Sequence, residues 1–158
     1  MKRIARFLLI GLFGLLALVL MLAALFAYFL YTPEPVLPQL SGTLSKATIE
    51  VAGLQRSYRS YVPKGLPKGA PLVLVMHGSG EGPQAIRVGT GYGFERLADQ
   101  HGFAVAYPKS FGFDWNDCSS IGNTAVDGVR AYDAAFMAAL LDKLVGEIAI
   151  YPQGVFAS

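Results

Sequence analysis

At 158 residues the chain has room for one domain of ordinary size and little besides. Its 13 Lys and Arg stand against 11 Asp and Glu, but Lys2, Arg3 and Arg6 precede an apolar run, and 10 basic against 11 acidic residues remain after it, so no basic nucleic-acid footprint is present. A single cysteine, aperiodic glycine and 12% aromatic content exclude disulfide-scaffold, collagenous and disordered classes.

Phe7 to Tyr31 is uncharged, and 23 of its 25 residues are apolar. As a helix rising about 1.5 Å per residue it reaches about 37 Å, enough to cross a hydrocarbon core of about 30 Å with tilt. A secretory signal has a shorter apolar region, about 7 to 15 residues, and an A-x-A-like end. The end here, Ala24-Leu25-Phe26-Ala27-Tyr28-Phe29-Leu30-Tyr31, is bulky. Residues 1–31 therefore read as a basic flank and an uncleaved transmembrane anchor, with the lipid bilayer as partner; a cleaved signal, leaving a secreted form, is the alternative. Cations ahead of the run and none behind it until Lys46 put the amino terminus in the cytoplasm and the rest outside. Residues 32–45, with Pro33, Pro35 and Pro38, read as an extended tether, and 46–158 as the folded domain.

Alternation over Ala47 to Ala52 and again over Gln55 to Val62 predicts a hairpin. Pro63 to Pro71 is a turn. Leu72 to Met76 is an unbroken apolar run, the pattern of a strand covered on both faces. A glycine-rich loop to about Thr90 comes next. Phe94, Leu97, Ala98 and His101 then have helical spacing, with Gly102 as the stop, and Phe103 to Tyr107 is a second buried strand. After a long loop, Lys109 to Asn123, the spacing of Thr124 and Asp127 predicts a helix start. Val129, Phe136, Met137, Leu140, Leu141 and Leu144 would share one face of that helix, and Val155 to Ala157 begins another strand. The order implies an α/β fold: a β-hairpin, then parallel βαβ units, preceded by one transmembrane helix.

Chemistry concentrates in His77-Gly78-Ser79-Gly80, directly after the Leu72 strand. Glycine there lets backbone N–H groups approach a substrate oxygen, as in the oxyanion loop of α/β serine hydrolases, although a structural glycine loop shares the pattern. The segments RSYRSYVPKG, PLVLVMHGSG, FERLADQHGFAVAYP, DWND, YDAAFMAALLDKL and YPQGVFAS occur in that order. Together they resemble the amino-terminal half of the polyhydroxybutyrate depolymerase, feruloyl esterase and acetylxylan esterase group of secreted α/β hydrolases. The resemblance implies a serine carboxylic-ester hydrolase in which Ser79, beside Gly78, lends its backbone N–H to the oxyanion and His77 holds the loop. Trp115 would line an acyl or aromatic pocket, or simply pack over the sheet. The chain departs from the group's pattern at Tyr132-Asp133-Ala134-Ala135-Phe136, where Asp-Asp-Val-x-Phe is common, and at Tyr151-Pro152-Gln153-Gly154, where Asp-Pro-x-Arg is common.

In that group the strand matched by residues 155–158 runs into Gly-x-Ser-x-Gly, and acid and base follow. None of the catalytic residues is therefore expected among the 158; nucleophile, acid and base belong after Ser158. Ser158 matches the last strand residue before the turn, and Ser79 lacks the flanking glycines of that elbow. His77 belongs to the loop and His101 closes a helix, so neither suits a general base. The expectation is the amino-terminal portion of an esterase, inert as written, acting on an ester only if the other half is supplied. It would also leave an apolar, unpaired edge on the last strand. The alternative is a non-catalytic membrane-tethered remnant or interaction module. No cofactor is implied: Gly78-x-Gly80-x-Gly82 would need its third dinucleotide-loop glycine at Pro83, with a helix opening there, and none is predicted. No His or Cys cluster suggests a metal, Asp114 and Asp117 read as turn residues, and Cys118 either pairs beyond this stretch or stays free.

Overall fold

The structure, a computed structural model, describes residues 2–112, 114–116, 125–126, 129–130, 133–148 and 150–158. It divides into two units, Met1–Glu34 and Pro35–Ser158. The first is a single helix, α1 (Lys2–Leu30), whose stretch Arg3–Leu30 has a mean hydropathy of 2.9 and no buried residue in its apolar window. Among the described residues it is the one helix long and apolar enough to cross a membrane, a property that signal sequences share.

The second unit is built on a five-stranded sheet in the order β1-β2-β4-β3-β7. β1 (Thr43–Val51) and β2 (Leu54–Val62) form the predicted antiparallel hairpin, with β1 starting four residues ahead of the alternation read from Ala47. β3 (Leu72–Leu74) and β4 (Ala104–Pro108) are parallel, and β7 (Val155–Ala157) lies parallel to β3 on its other side. The odd and even positions of these strands serve two cores. Leu72, Leu74, Ala104, Ala106 and Tyr58 pack with Phe136, Leu140 and Leu144 of α4 (Asp133–Ile148). Val75, Val105, Tyr107 and Tyr61 pack on the opposite face with Ala98 of α3 (Gly93–His101). A strand with apolar residues at every position is thus satisfied on both faces, which explains the unbroken runs at 72–76 and 103–107.

Two predicted features are corrected. The glycine-rich stretch to Thr90 holds a short helix, α2 (Pro83–Gly89). Pro83 supplies a preset φ at its first turn, and Arg87 is anchored by a buried ion pair to Glu95 of α3. A helix therefore does open at Pro83, contrary to the comparison with a dinucleotide loop, although proline still stands where that loop needs glycine. The long helix begins at Asp133, not near Thr124. Val129 lies in β6 (Val129–Arg130), paired antiparallel with β5 (Ala125–Val126) as a small hairpin, rather than on the helix face. Thr124, Asp127, Asp117 and Cys118 lie outside the described residues.

Candidate oxyanion site

β3 stops being a regular strand at Leu74, but the chain runs on in register: Val75 N–H donates to Ala106 C=O and Met76 N–H to Ser158 C=O. His77-Gly78-Ser79-Gly80 follows at the carboxyl end of this central parallel strand, where open α/β sheets place their sites. His77 is buried while Gly78, Ser79 and Gly80 are exposed.

The His77 ring is held at both nitrogens. Ser110 N–H donates to Nε2 at 3.1 Å, which requires a lone pair there, and Nδ1 lies 2.8 Å from Gly78 C=O, which requires a proton on Nδ1. A ring so engaged is the neutral Nδ1–H tautomer, with no free nitrogen to take a proton from a nucleophile. Trp115 sits 4.9 Å from the His77 ring between centroids, and its Nε1–H donates to His77 C=O at 2.9 Å. Glu81 N–H closes a turn onto Gly78 C=O at 3.2 Å. Among the described residues, the N–H groups of Gly78 and Ser79 donate to no protein acceptor.

The segment bearing Ser110 and Trp115 is clamped in turn. Arg56 on β2 is buried, donates to Lys109 C=O at 3.1 Å and pairs with buried Asp133 at the start of α4; its guanidinium lies 4.1 Å from the Phe136 ring centroid. The other oxygen of Asp133 accepts Asn116 N–H. One ion pair thus grips both ends of residues 109–116. Sequence reasoning did not single out Arg56 or Ser110 and treated Asp133 only as a departure from pattern. The available signal was Arg56 on the same strand face as Tyr58 and Ser60, a charge at an inward position that must find a partner.

Of the predicted site residues, His77, Gly78, Ser79 and Trp115 come together at one strand end. His101 is exposed at the carboxyl end of α3, and Asp114 is exposed. Among the described residues there is no group of three His, Cys, Asp or Glu side chains able to hold a metal ion.

No protein-family profile matches the chain. Over 130 residues it is 31% identical to NocK of Nocardia uniformis subsp. tsuyamanensis, a protein named as an esterase; the match takes in 80% of this chain and 37% of the relative. The chain thus spans little more than a third of that relative's length. Among solved structures, an acetyl xylan esterase from Aspergillus awamori superposes with a TM-score of 0.56 at 21% identity, over 73% of this chain and 42% of the other. A ferulic acid esterase superposes with a TM-score of 0.54 at 15% identity, over 75% of this chain and 49% of the other. The second unit has the fold of the α/β-hydrolase esterases.

Proposed function

We propose that the second unit is the oxyanion-bearing portion of a serine carboxylic-ester hydrolase of the polyhydroxybutyrate depolymerase and feruloyl esterase type, held outside the cytoplasm by α1 as a single-pass anchor. The observation that carries this is the pair of consecutive N–H groups, Gly78 and Ser79, that donate to no acceptor among the described residues, just past the end of a parallel strand flanked by two others. Two such donors suit the oxygen of a tetrahedral intermediate. The likeness to proteins named as esterases supports the reading.

The attacking group is proposed to lie outside these 158 residues. No serine here sits in Gly-x-Ser-x-Gly, and neither histidine is available as a base: His77 is locked at both nitrogens and His101 is exposed on a helix end. The test is hydrolysis of p-nitrophenyl acetate. The product of the complete reading frame should hydrolyse it, and Ser79→Pro, which deletes one N–H, should lower kcat by about 10²- to 10³-fold. Residues 1–158 alone should release no nitrophenol above background. Turnover by the 158 residues alone, or turnover indifferent to Ser79→Pro, would overturn the proposal.

A further inference from the structure

We infer that Trp115 and His77 are positioning residues that aim the two oxyanion donors, Trp115 setting the Gly78 N–H and the His77 imidazole setting the Ser79 N–H. This rests on the ester-hydrolase reading for its catalytic meaning, but the geometry stands by itself.

In a planar trans peptide the C=O of one residue and the N–H of the next point in opposite directions. Whatever grips His77 C=O therefore dictates where Gly78 N–H points, and that grip is the Trp115 indole N–H at 2.9 Å. Whatever grips Gly78 C=O dictates where Ser79 N–H points, and there the acceptor faces His77 Nδ1 at 2.8 Å and Glu81 N–H at 3.2 Å. Two consecutive peptide planes are thus oriented by bonds on their carbonyl side, while on the donor side neither N–H has an acceptor among the described residues. Glycine at 78 would otherwise be free to rotate both planes.

Neither positioning side chain is itself loose. The His77 ring is fixed by Ser110 N–H on Nε2. Trp115 is followed by Asn116, whose N–H is held by Asp133, and Asp133 is paired with Arg56. The line runs from a buried ion pair through one peptide to the indole, then to a carbonyl, and ends at the donor. Preorganisation of this kind supplies transition-state stabilisation without reorganisation at the moment of reaction. Trp115 thereby has a role besides lining a pocket: its N–H matters more than its ring.

The test uses Trp115→Phe, which keeps an aromatic ring beside His77 and removes the donor. In the ¹⁵N-labelled full chain in detergent micelles, the Gly78 amide resonance should shift and its solvent exchange should quicken. In p-nitrophenyl acetate hydrolysis by the complete gene product, kcat should fall about 10- to 100-fold with KM held within about twofold, the split expected of donors misaimed toward the transition state alone. His77→Asn, whose side-chain amide keeps a donor where Nδ1–H was, should retain the Ser79 resonance that His77→Ala loses. If Trp115→Phe does not fold, the wild-type indole N–H decides: slow exchange supports the bond to His77 C=O, and exchange at the free-indole rate overturns it. A wild-type enzyme whose kcat and Gly78 amide ignore Trp115→Phe overturns the positioning and leaves the hydrolase reading intact. A Gly78 amide that responds in a protein with no ester turnover supports the positioning and overturns the reading.

Discussion

At residue scale, the clearest energetic feature lies away from the site, where the segment before β1 is fastened to α3. Asp99 accepts Ser41 N–H at 2.7 Å, Ser41 Oγ–H at 2.8 Å and the Tyr61 hydroxyl at 2.6 Å, and Gly42 N–H donates to that hydroxyl at 2.8 Å. Desolvation works against the charged carboxylate, but the donors from Ser41 and Tyr61 outweigh it and hold the Asp99 pKa below the ordinary 3.8. A carboxyl depressed in the folded state stabilises it above the unfolded pKa, and that contribution is lost as pH falls through the folded pKa. Asp99 is partly open to water, which screens these bonds, so Asp99→Asn should cost only about 0.5–1 kcal/mol at pH 7. In urea melts run from pH 7 to pH 2 the gap from wild type should close at the acid end; a pH-independent gap would show that charge is not what the latch uses. Gly42 is fitted to the same place: a Cβ there would lie 2.3 Å from Val62 C=O and 2.7 Å from Tyr61 Cζ, so Gly42→Ala should destabilise by about 1–3 kcal/mol.

The other instructive residue is Tyr107. Among the described residues, its hydroxyl and Glu95 Oε2 are both fully buried and neither meets a partner in good hydrogen-bond geometry, beside the Arg87–Glu95 ion pair. Burial first, then the Glu95 carboxylate, pushes the phenol far above its usual pKa, so it stays neutral throughout the accessible range. An unsatisfied buried hydroxyl is costly, and its removal restores apolar contact. Tyr107→Phe is expected to be neutral or stabilising by up to about 1 kcal/mol in the denaturation midpoint; a large loss would reveal a bond between the phenol and the carboxylate.

At element scale, the hairpin shows how local chemistry and tertiary demand diverge. Ala52 and Gly53 join β1 to β2 with φ of 52° and 79°, the left-handed pair that a two-residue hairpin turn needs. Glycine suits its place, but alanine is strained, so Ala52→Asn should raise stability by about 0.5–1 kcal/mol, read as a higher melting temperature. The same reasoning separates the legible elements from the others. β3, β4 and the apolar face of α4 could be read from sequence because Leu72, Leu74 and Ala104 stand in unbroken apolar runs and Phe136, Leu140 and Leu144 recur at helical spacing, and all six are buried. α2 could not, since its seven residues have little apolar pattern and it is held by Arg87 reaching Glu95, eight residues away. The start of α4 was misplaced because Asp133 takes its partner from Arg56, 77 residues earlier, and no local pattern encodes that pairing. Breaking the Arg56–Asp133 pair strands a buried charge, so Asp133→Ala should cost about 3–5 kcal/mol. Because the pair also grips residues 109–116, the indole resonance of Trp115 should move with it.

At the scale of the whole molecule, the site was legible as a loop but not as a device. His77-Gly78-Ser79-Gly80 announces itself after an apolar strand, whereas Ser110, Asn116, Asp133 and Arg56 join it only through the sheet order and the long loop. The large apolar side chains of α1 are half or more exposed along most of its length, including Leu15, Leu16, Val19 and Leu20. Such a surface in water would aggregate; in a bilayer it costs nothing, because lipid tails satisfy it. An anchored protein stays with membranes through alkaline carbonate extraction. Arginines at Leu16 and Leu20 would each oppose insertion by about 2.5–3.5 kcal/mol at the helix centre, and the doubly substituted protein should move to the soluble fraction. Sequencing the amino terminus of the wild-type protein separates the two fates of this helix: a terminus at Met1 or Lys2 supports the anchor, and one beyond Tyr31 would replace it with a cleaved signal and a secreted domain.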